Sequence, residues 1–192
     1  RELDKDGSIG LFSAESNPPY DRPPLSKGLW KGQDAAAIVR NTASRGVTTH
    51  LGRMVVQLDL ATKRAGDDQA AEYTFDRLLL ATGGRPRQLK SAADGVIYFR
   101  TLDDYRRLRS LTEHGADFVV VGGGFVGSEI AAGLAMNGKR VTMIFPNEAI
   151  GGRVFSPQLC AYRKDYFRRK GGTVLGGGTG GGSPGGGGPT RS

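Results

Sequence analysis

The residues best suited to chemistry form a glycine-rich turn at residues 122–127, which read GGGFVG. The turn follows an apolar strand candidate at residues 118–121 and opens a helix of small residues. In such a turn Gly122 permits the tight bend, Gly124 leaves room for a pyrophosphate, and Gly127 lets the helix approach the strand. The helix N-terminus presents backbone N–H groups to phosphates. The pattern therefore predicts a dinucleotide-binding turn, and a purely structural glycine turn is the alternative.

The choice of dinucleotide depends on the residues that follow the second strand candidate, at residues 141–145. An acidic side chain about 20 residues after the turn binds the ribose of NAD, whereas a basic cluster suits the extra phosphate of NADP. This chain has neutral Asn147 and acidic Glu148 there, and Arg153 lies close enough in sequence to reach a phosphate. We therefore expect NAD(H) rather than NADP(H).

The first half of the chain predicts strands joined by turns. Strand candidates lie at residues 9–12, 47–51 and 54–60, and residues 61–72 are predicted to be a polar connection. The apolar run at residues 78–81 predicts a strand buried on both faces, as in a parallel sheet.

Two further helices flank the glycine turn. Thr101 and Asp104 form a capping box for the first, and Ser156 with Pro157 begins the second. The single cysteine, Cys160, is expected to be a buried, unreactive thiol in the second helix. The inner side of that helix is predicted to carry Leu159, Tyr162, Tyr166 and Phe167.

Composition limits the function classes. The chain has 192 residues, enough for one domain or parts of two, and no apolar stretch approaches the roughly 20 residues of a membrane span. The net charge of +8 suits an acidic partner, an anionic surface or nucleic acid. Nucleic acid is not expected, because the densest basic group, at residues 163–170, lies towards the end of a predicted helix, where cations suit the helix dipole. No His or Cys has a companion at metal-ligand spacing, so no metal is expected.

Four stretches of the sequence jointly resemble the apoptosis-inducing factor and ferredoxin reductase group of FAD-dependent oxidoreductases. Their order and spacing match that group from about Ser8 to Gly172. A CxxC pair, which related disulfide reductases use, is absent from the sequence. The stretches are residues 19–27 (PYDRPPLSK), 80–87 (LATGGRPR), 122–129 (GGGFVGSE) and 145–148 (FPNE).

The resemblance implies an α/β fold with two Rossmann-like dinucleotide-binding domains, one for FAD and one for NAD(H), both incomplete in this chain. Residues 1–95 would be part of the FAD domain, residues 96–172 part of the NAD(P)H domain, and residues 173–192 a glycine-rich disordered tail. The group's FAD pyrophosphate turn would precede this sequence, and further flavin-binding segments would follow it. We therefore expect this chain alone to bind flavin poorly, to be inactive, and to expose a sheet edge.

The resemblance also assigns site residues. Lys27 and Glu129 would form a catalytic ion pair beside the flavin ring, with the lysine directed at N5, the atom that accepts hydride. The residues that would contact FAD are Glu15, Arg22, Lys27, Val55, Ala81, Thr82, Gly83 and Arg87. The residues that would contact NADH are Gly122, Gly123, Gly124, Phe125, Val126, Gly127, Asn147, Glu148 and Arg153.

The implied activity is hydride transfer from NADH to FAD, with electrons passing to an external acceptor: a ferredoxin-like carrier, a quinone or oxygen. The basic charge balance would suit an acidic ferredoxin. A cytoplasmic location is expected, and the sequence gives no oligomeric state. A non-catalytic module that binds a dinucleotide or nucleic acid remains the alternative function.

Overall fold

The computed structural model describes residues 6–90, 94–146, 149–152 and 154–176. The chain divides into two compact units. The first comprises Arg1–Arg22 and Asp34–Asp104, and the second comprises Pro23–Gln33 and Tyr105–Ser192. The division into an FAD part and an NAD(P)H part at residue 95 stays a prediction.

The first unit contains a parallel strand pair. β1 (Ile9–Ser13) pairs with β2 (Val47–Leu51) in register, from Ile9 opposite Val47 to Ser13 opposite Leu51. Both strands lie where the sequence predicts them. Parallel pairing places the carboxyl ends of the two strands at the same edge, and Glu15 follows directly after β1.

An antiparallel sheet of three strands completes the regular structure of this unit: β3 (Val55–Asp59), β4 (Arg64–Asp67) and β5 (Glu72–Thr74). β3 confirms a predicted strand. The predicted polar connection at residues 61–72 is wrong, because it contains β4. The Asp59 carboxylate accepts hydrogen bonds from the Ala61 and Thr62 amides, and this tight turn folds β4 back onto β3.

The predicted doubly buried strand at residues 78–81 is also wrong. Residues 75–90 form neither helix nor strand, and Leu79 and Leu80 are 86% and 67% exposed. A buried parallel strand needs a hydrogen-bonded neighbour, and none of the described strands pairs with this run.

The second unit contains a β-α-β-α-β segment of the Rossmann type. Its strands are β6 (Asp117–Val121), β7 (Arg140–Phe145) and β8 (Thr173–Gly176), which pair in parallel in the order β6-β7-β8. The predicted α/β fold class is therefore confirmed, and this segment is a partial Rossmann-like domain. Among the described residues the α-helices are α1 (Leu102–His114), α2 (Phe125–Met136) and α3 (Pro157–Arg169). α1 begins in the first unit and continues in the second.

Local signals position these helices as the sequence predicts. Before α1 the Thr101 amide donates to the Asp104 carboxylate at 2.7 Å, and the Asp104 amide donates to the Thr101 hydroxyl at 3.2 Å. This reciprocal capping satisfies two amides that a helix start leaves free. Ser156 caps α3, and Pro157 occupies its first turn.

The core of the second unit joins α2 to a short segment from early in the chain. Trp30 is buried and donates from its indole N–H to the Leu25 carbonyl at 2.9 Å. A Cβ on Gly133 of α2 would lie 2.8 Å from the indole ring, so only glycine allows this close approach. The segment that carries Trp30 folds as two 3-10 turns, Pro23–Ser26 and Gly28–Lys31.

The predicted inner face of α3 is wrong. Leu159, Tyr162 and Tyr166 are exposed, and Cys160 is the buried residue of this helix. The two tyrosines stack on each other at 6.2 Å and have basic side chains over their rings, so these contacts hold them on the outside of the helix. The burial of Cys160 confirms the sequence expectation. No helix in the described part of the chain is long and apolar enough to cross a membrane.

Candidate functional site

The glycine turn connects the end of β6 to the start of α2. Gly122 has φ +122°, in the region that favours glycine, and its amide donates to the Ile144 carbonyl of β7 at 2.8 Å. A Cβ at Gly127 would lie 2.1 Å from the Gly122 carbonyl oxygen, so glycine lets α2 approach the turn. A Cβ at Gly124 would meet nothing within 4 Å. That free space, next to the amides of the first turn of α2, fits a pyrophosphate group.

A cavity of about 280 Å³ opens beside this turn. The loop after β7 closes one side of it, and the Gly151 amide ties that loop to the Gly123 carbonyl at 2.8 Å. The Phe125 and Phe155 rings meet edge to face at 5.8 Å. The cavity is lined by Gly123, Gly124, Phe125, Phe145, Pro146, Gly151, Gly152, Val154, Phe155 and Arg163.

Lys27 and Glu129 form the ion pair that the sequence predicts. The Lys27 ammonium lies 3.0 Å from the Glu129 carboxylate, within the second unit. The Ser26 hydroxyl donates to the other carboxylate oxygen at 2.6 Å. The Lys27 side chain is 55% exposed and that of Glu129 is 26% exposed. The carboxylate therefore fixes a lysine whose charge remains open to a ligand.

A second polar cluster lies in the first unit, just beyond β1. The Glu15 carboxylate forms an ion pair with Arg22 and accepts a hydrogen bond from the Tyr20 hydroxyl at 2.5 Å. Arg22 also donates to the Arg100 carbonyl at 2.8 Å, and the Leu102 amide donates to the Tyr20 hydroxyl at 2.8 Å. Burial, and then the hydrogen bond to Glu15, raise the pKa of Tyr20 to about 12. The cluster holds Glu15 and Arg22 close to each other.

The other residues predicted to contact FAD lie apart from any described cavity. Val55 is the first residue of β3, an edge strand of its three-stranded sheet. Ala81, Thr82 and Gly83 lie in the irregular segment after β5, where they are exposed, as is Arg87. Gly83 has φ +66°. The roles of these residues stay predictions.

Three predicted dinucleotide contacts, Asn147, Glu148 and Arg153, lie outside the described residues. Val126 and Phe125 are in the first turn of α2 and are exposed.

Four side chains that the sequence analysis did not name as site residues contact the ion pair, the Glu15 cluster or the cavity: Ser26, Tyr20, Phe155 and Arg163. Ser26 and Tyr20 lie inside the PYDRPPLSK stretch, so that motif was a usable signal. Phe155 and Arg163 have no such signal, because the fold of the loop and α3 brings them to the glycine turn.

The fold and the glycine turn define a dinucleotide-binding protein of the α/β class. Residues 1–180 match the family described as pyridine nucleotide-disulphide oxidoreductase, and the chain belongs to this family. A similar curated protein is the 5,5'-dehydrodivanillate O-demethylase ferredoxin reductase subunit of Sphingobium sp., at 34% identity over 91% of this chain.

Two solved structures are also similar. The ferredoxin reductase for the CYP199A2 system from Rhodopseudomonas palustris matches with a TM-score of 0.83 and 28% identity, over 92% of this chain and 45% of that protein. The covalent putidaredoxin reductase–putidaredoxin complex matches with a TM-score of 0.81 and 28% identity, over 90% of this chain and 44% of that chain. The chain also spans only 44% of the Sphingobium relative, so it corresponds to less than half of each of these proteins.

Proposed function

We propose that this chain belongs to an FAD-dependent NAD(P)H oxidoreductase that takes hydride from NADH and passes electrons to an external acceptor. The observation that carries the proposal is the Lys27–Glu129 ion pair, which lies in the same compact unit as the glycine turn. In a dinucleotide-binding module without redox function this pair would be a partly exposed ion pair, which contributes only about 0–1 kcal/mol to stability.

The glycine turn binds the dinucleotide in this proposal. The space at Gly124 accepts the pyrophosphate, and the amides at the start of α2 donate hydrogen bonds to it. Asn147, Glu148 and Arg153 would contact the adenosine half, and NAD(H) is preferred over NADP(H) because Glu148 is acidic.

Lys27 acts on the flavin. FAD, when bound, supplies a hydride-accepting ring that becomes negatively charged on reduction. A lysine held beside that ring stabilises the negative charge. Glu129 and Ser26 orient the lysine through the 3.0 Å ion pair and the 2.6 Å hydrogen bond to the same carboxylate.

The cluster beyond β1 holds the adenosine end of FAD. Glu15, which follows β1, accepts hydrogen bonds from the ribose hydroxyls, as an acidic residue does at the end of a strand in other dinucleotide-binding sites. Arg22, already oriented by Glu15 and the Arg100 carbonyl, contacts the phosphates. Val55, Ala81, Thr82, Gly83 and Arg87 complete the FAD contacts in this proposal.

The proposed acceptor is a small acidic redox protein of the ferredoxin type. The relatives include ferredoxin reductases, and the net charge of +8 favours an acidic partner. We expect the affinity of this chain for an acidic ferredoxin to fall as salt rises, measured by biolayer interferometry. Retention of DNA with the same salt dependence would favour the nucleic-acid-binding alternative instead.

The test of the proposed function is a visible spectrum. The purified chain is mixed with FAD without oxygen, the flavin absorbance is recorded before and after desalting, and NADH is added to the mixture before desalting. We expect a version extended to the full length of its relatives to bleach with NADH faster than free FAD in the same buffer, and this chain alone to lose its flavin on desalting. Bleaching of the extended version at the rate of free FAD, together with no NADH binding by fluorescence titration, would contradict the proposal.

A further inference from the structure

The strongest unassigned feature of the dinucleotide cavity is the guanidinium of Arg163. This residue lies in the middle of α3 and lines the cavity together with Gly123 and Gly124. Its Nη2 donates to the Ser128 hydroxyl in the first turn of α2 at 3.0 Å. Its Cζ lies 4.7 Å from the centre of the Phe155 ring. The side chain is thus held from two sides at the edge of the glycine turn.

Arg163 has no acidic partner among the described residues, whereas several other oriented arginines do. Arg22, Arg53 and Arg140 each form an ion pair with a carboxylate. In the described ranges of the chain, no carboxylate lies within ion-pair distance of Arg163. A hydroxyl and an aromatic ring orient its charge without neutralising it.

The neighbours of Arg163 fix its position. The Ser128 hydroxyl donates to the Gly124 carbonyl at 2.7 Å and is buried, so it accepts from Arg163 in a fixed direction. Gly151 has φ +75°, and a Cβ there would lie 2.6 Å from the Phe155 ring and 3.0 Å from Arg163 Nη1. Glycine at this position therefore leaves room for the guanidinium of Arg163 over the Phe155 ring.

We propose that Arg163 binds a phosphate group of the dinucleotide. The proposal rests on the proposed function, since it assumes that the cavity takes a nicotinamide dinucleotide. A planar guanidinium forms two parallel hydrogen bonds with a phosphate, and an uncompensated positive charge beside the amides of α2 favours a dianionic group. The phosphate is either the pyrophosphate, common to NADH and NADPH, or the 2′-phosphate of NADPH.

The experiment compares binding by the full chain and two variants. Arg163→Gln removes the charge in the cavity, and Arg169→Gln removes the same charge from the exposed end of the same helix as the matched control. Dissociation constants for NADH and NADPH are measured by fluorescence titration at low and high salt. We expect Arg163→Gln to weaken binding on the order of tenfold, as the loss of a hydrogen bond to a charged group does, with a smaller difference at high salt.

The pattern of losses identifies the phosphate. An equal loss for both dinucleotides supports contact with the pyrophosphate, and a loss for NADPH alone supports contact with the 2′-phosphate. Unchanged binding, or an equal loss in Arg169→Gln, overturns the role of Arg163 and leaves the proposed function standing. If the unaltered chain binds neither dinucleotide, the proposed function fails and the role of Arg163 fails with it.

A measurement on the unaltered chain covers the case in which Arg163→Gln does not fold. Phenylglyoxal modifies accessible arginines, and mass spectrometry reports the modified fraction at each one. We expect NADH or NADPH to slow modification at Arg163 and to leave Arg169 unaffected. Equal rates at Arg163 with and without dinucleotide, under conditions where binding is measured, overturn the proposal.

Discussion

The Lys27–Glu129 ion pair contributes little to the stability of the fold. The lysine side chain is 55% exposed, and exposed ion pairs contribute only about 0–1 kcal/mol to folding. The Glu129 carboxylate also accepts a hydrogen bond from the Ser26 hydroxyl, so two side chains are committed to holding one ammonium group. Stability gains little from that arrangement, and the proposed function would use it to hold a positive charge beside reduced flavin.

Lys27→Ala is therefore expected to affect flavin reduction far more than folding. In a version extended to the full length of its relatives and loaded with FAD, we expect the rate of flavin reduction by NADH to fall on the order of tenfold or more, because preorganised charge stabilisation is lost. The unfolding free energy should change by less than about 1 kcal/mol. Stopped-flow absorbance measures the rate and denaturant titration measures stability.

Lys31→Ala is the matched control for this prediction, since Lys31 is an exposed lysine in the neighbouring 3-10 turn. Its reduction rate should equal that of the unaltered protein. Glu129→Gln keeps the size of the side chain and removes the ion pair, so its rate should also fall. A Lys27→Ala rate indistinguishable from that of Lys31→Ala would refute the catalytic assignment.

Tyr20 gives a pH dependence that can be measured in the first unit. Burial and the hydrogen bond to Glu15 raise the pKa of Tyr20 from 10.0 to about 12, so the folded chain keeps the phenol protonated where the unfolded chain loses the proton. This contribution to stability is full below pH 10 and is lost as pH rises towards 12. Because the phenol is partly solvated, we expect the loss to reach only about 1 kcal/mol.

The measurement compares the unaltered chain with Tyr20→Phe, which has no proton to lose. Denaturant titrations at several pH values should show a stability difference that is constant below pH 10 and shrinks above it. Phenolate absorbance should show one tyrosine fewer titrating late in the variant. A difference that stays constant through this range would mean that the hydroxyl of Tyr20 is not held as described.

At the scale of elements, different glycines of the turn serve different purposes: one allows the fold, and another leaves space for a ligand. A methyl group at Gly127 would collide with the Gly122 carbonyl at 2.1 Å, whereas one at Gly124 would enter free space. Gly124 has φ −80° and ψ −169°, which alanine adopts without strain. Folding thus depends on Gly127, and the space for a ligand depends on Gly124.

We expect Gly127→Ala to lower the unfolding free energy by about 2 kcal/mol or more, because α2 must move away from the turn. Gly124→Ala should leave stability nearly unchanged and weaken NADH binding on the order of tenfold or more, because its methyl group occupies the pyrophosphate space. Thermal unfolding followed by the fluorescence of Trp30, the single tryptophan, measures the first. NADH titration measures the second, and unchanged NADH affinity in Gly124→Ala would exclude that space as the phosphate site.

Elements with a strong local signal were predictable from the sequence, and elements that depend on distant partners were not. The turn at residues 122–127 is predictable because its requirements are local. Gly122 adopts a positive φ, and a Cβ at Gly127 would collide with the Gly122 carbonyl. The Thr101–Asp104 capping box is equally local. The apolar run at residues 78–81 has the composition of a buried strand, but a strand forms only where another strand pairs with it.

The same distinction applies to the candidate site. The ion pair of Lys27 with Glu129 was predictable because both residues lie in recognisable stretches. Arg163 was not, because its place in the cavity depends on the packing of α3 beside α2, and no sequence spacing reports that contact. The prediction for Tyr162 and Tyr166 of α3 was wrong for a related reason. Their helical spacing suits a core, but they lie on the outside of the helix in contact with Arg169 and Lys170.

At the scale of the whole molecule, two of the apolar surfaces that remain uncovered among the described residues favour association. One is the irregular segment with Leu79 and Leu80, in the first unit. The other is β6, the edge strand of its sheet, where Val119 and Val121 are exposed. Contiguous exposed apolar residues and open strand edges promote association of protein chains. We therefore expect this 192-residue chain to aggregate at concentrations at which a fully covered domain would stay dispersed.

Replacing exposed leucines tests this expectation without disturbing a core. The double variant Leu79→Glu, Leu80→Glu should aggregate less in dynamic light scattering, because charge replaces apolar surface at 86% and 67% exposed positions. Its unfolding free energy should change by less than about 0.5 kcal/mol, as substitutions on exposed surface do. Leu25→Glu is the contrasting control: Leu25 is buried, so an unpaired carboxylate there should unfold the second unit. A double variant that loses stability would show instead that Leu79 and Leu80 are packed in solution, as the doubly buried strand expected from the sequence requires.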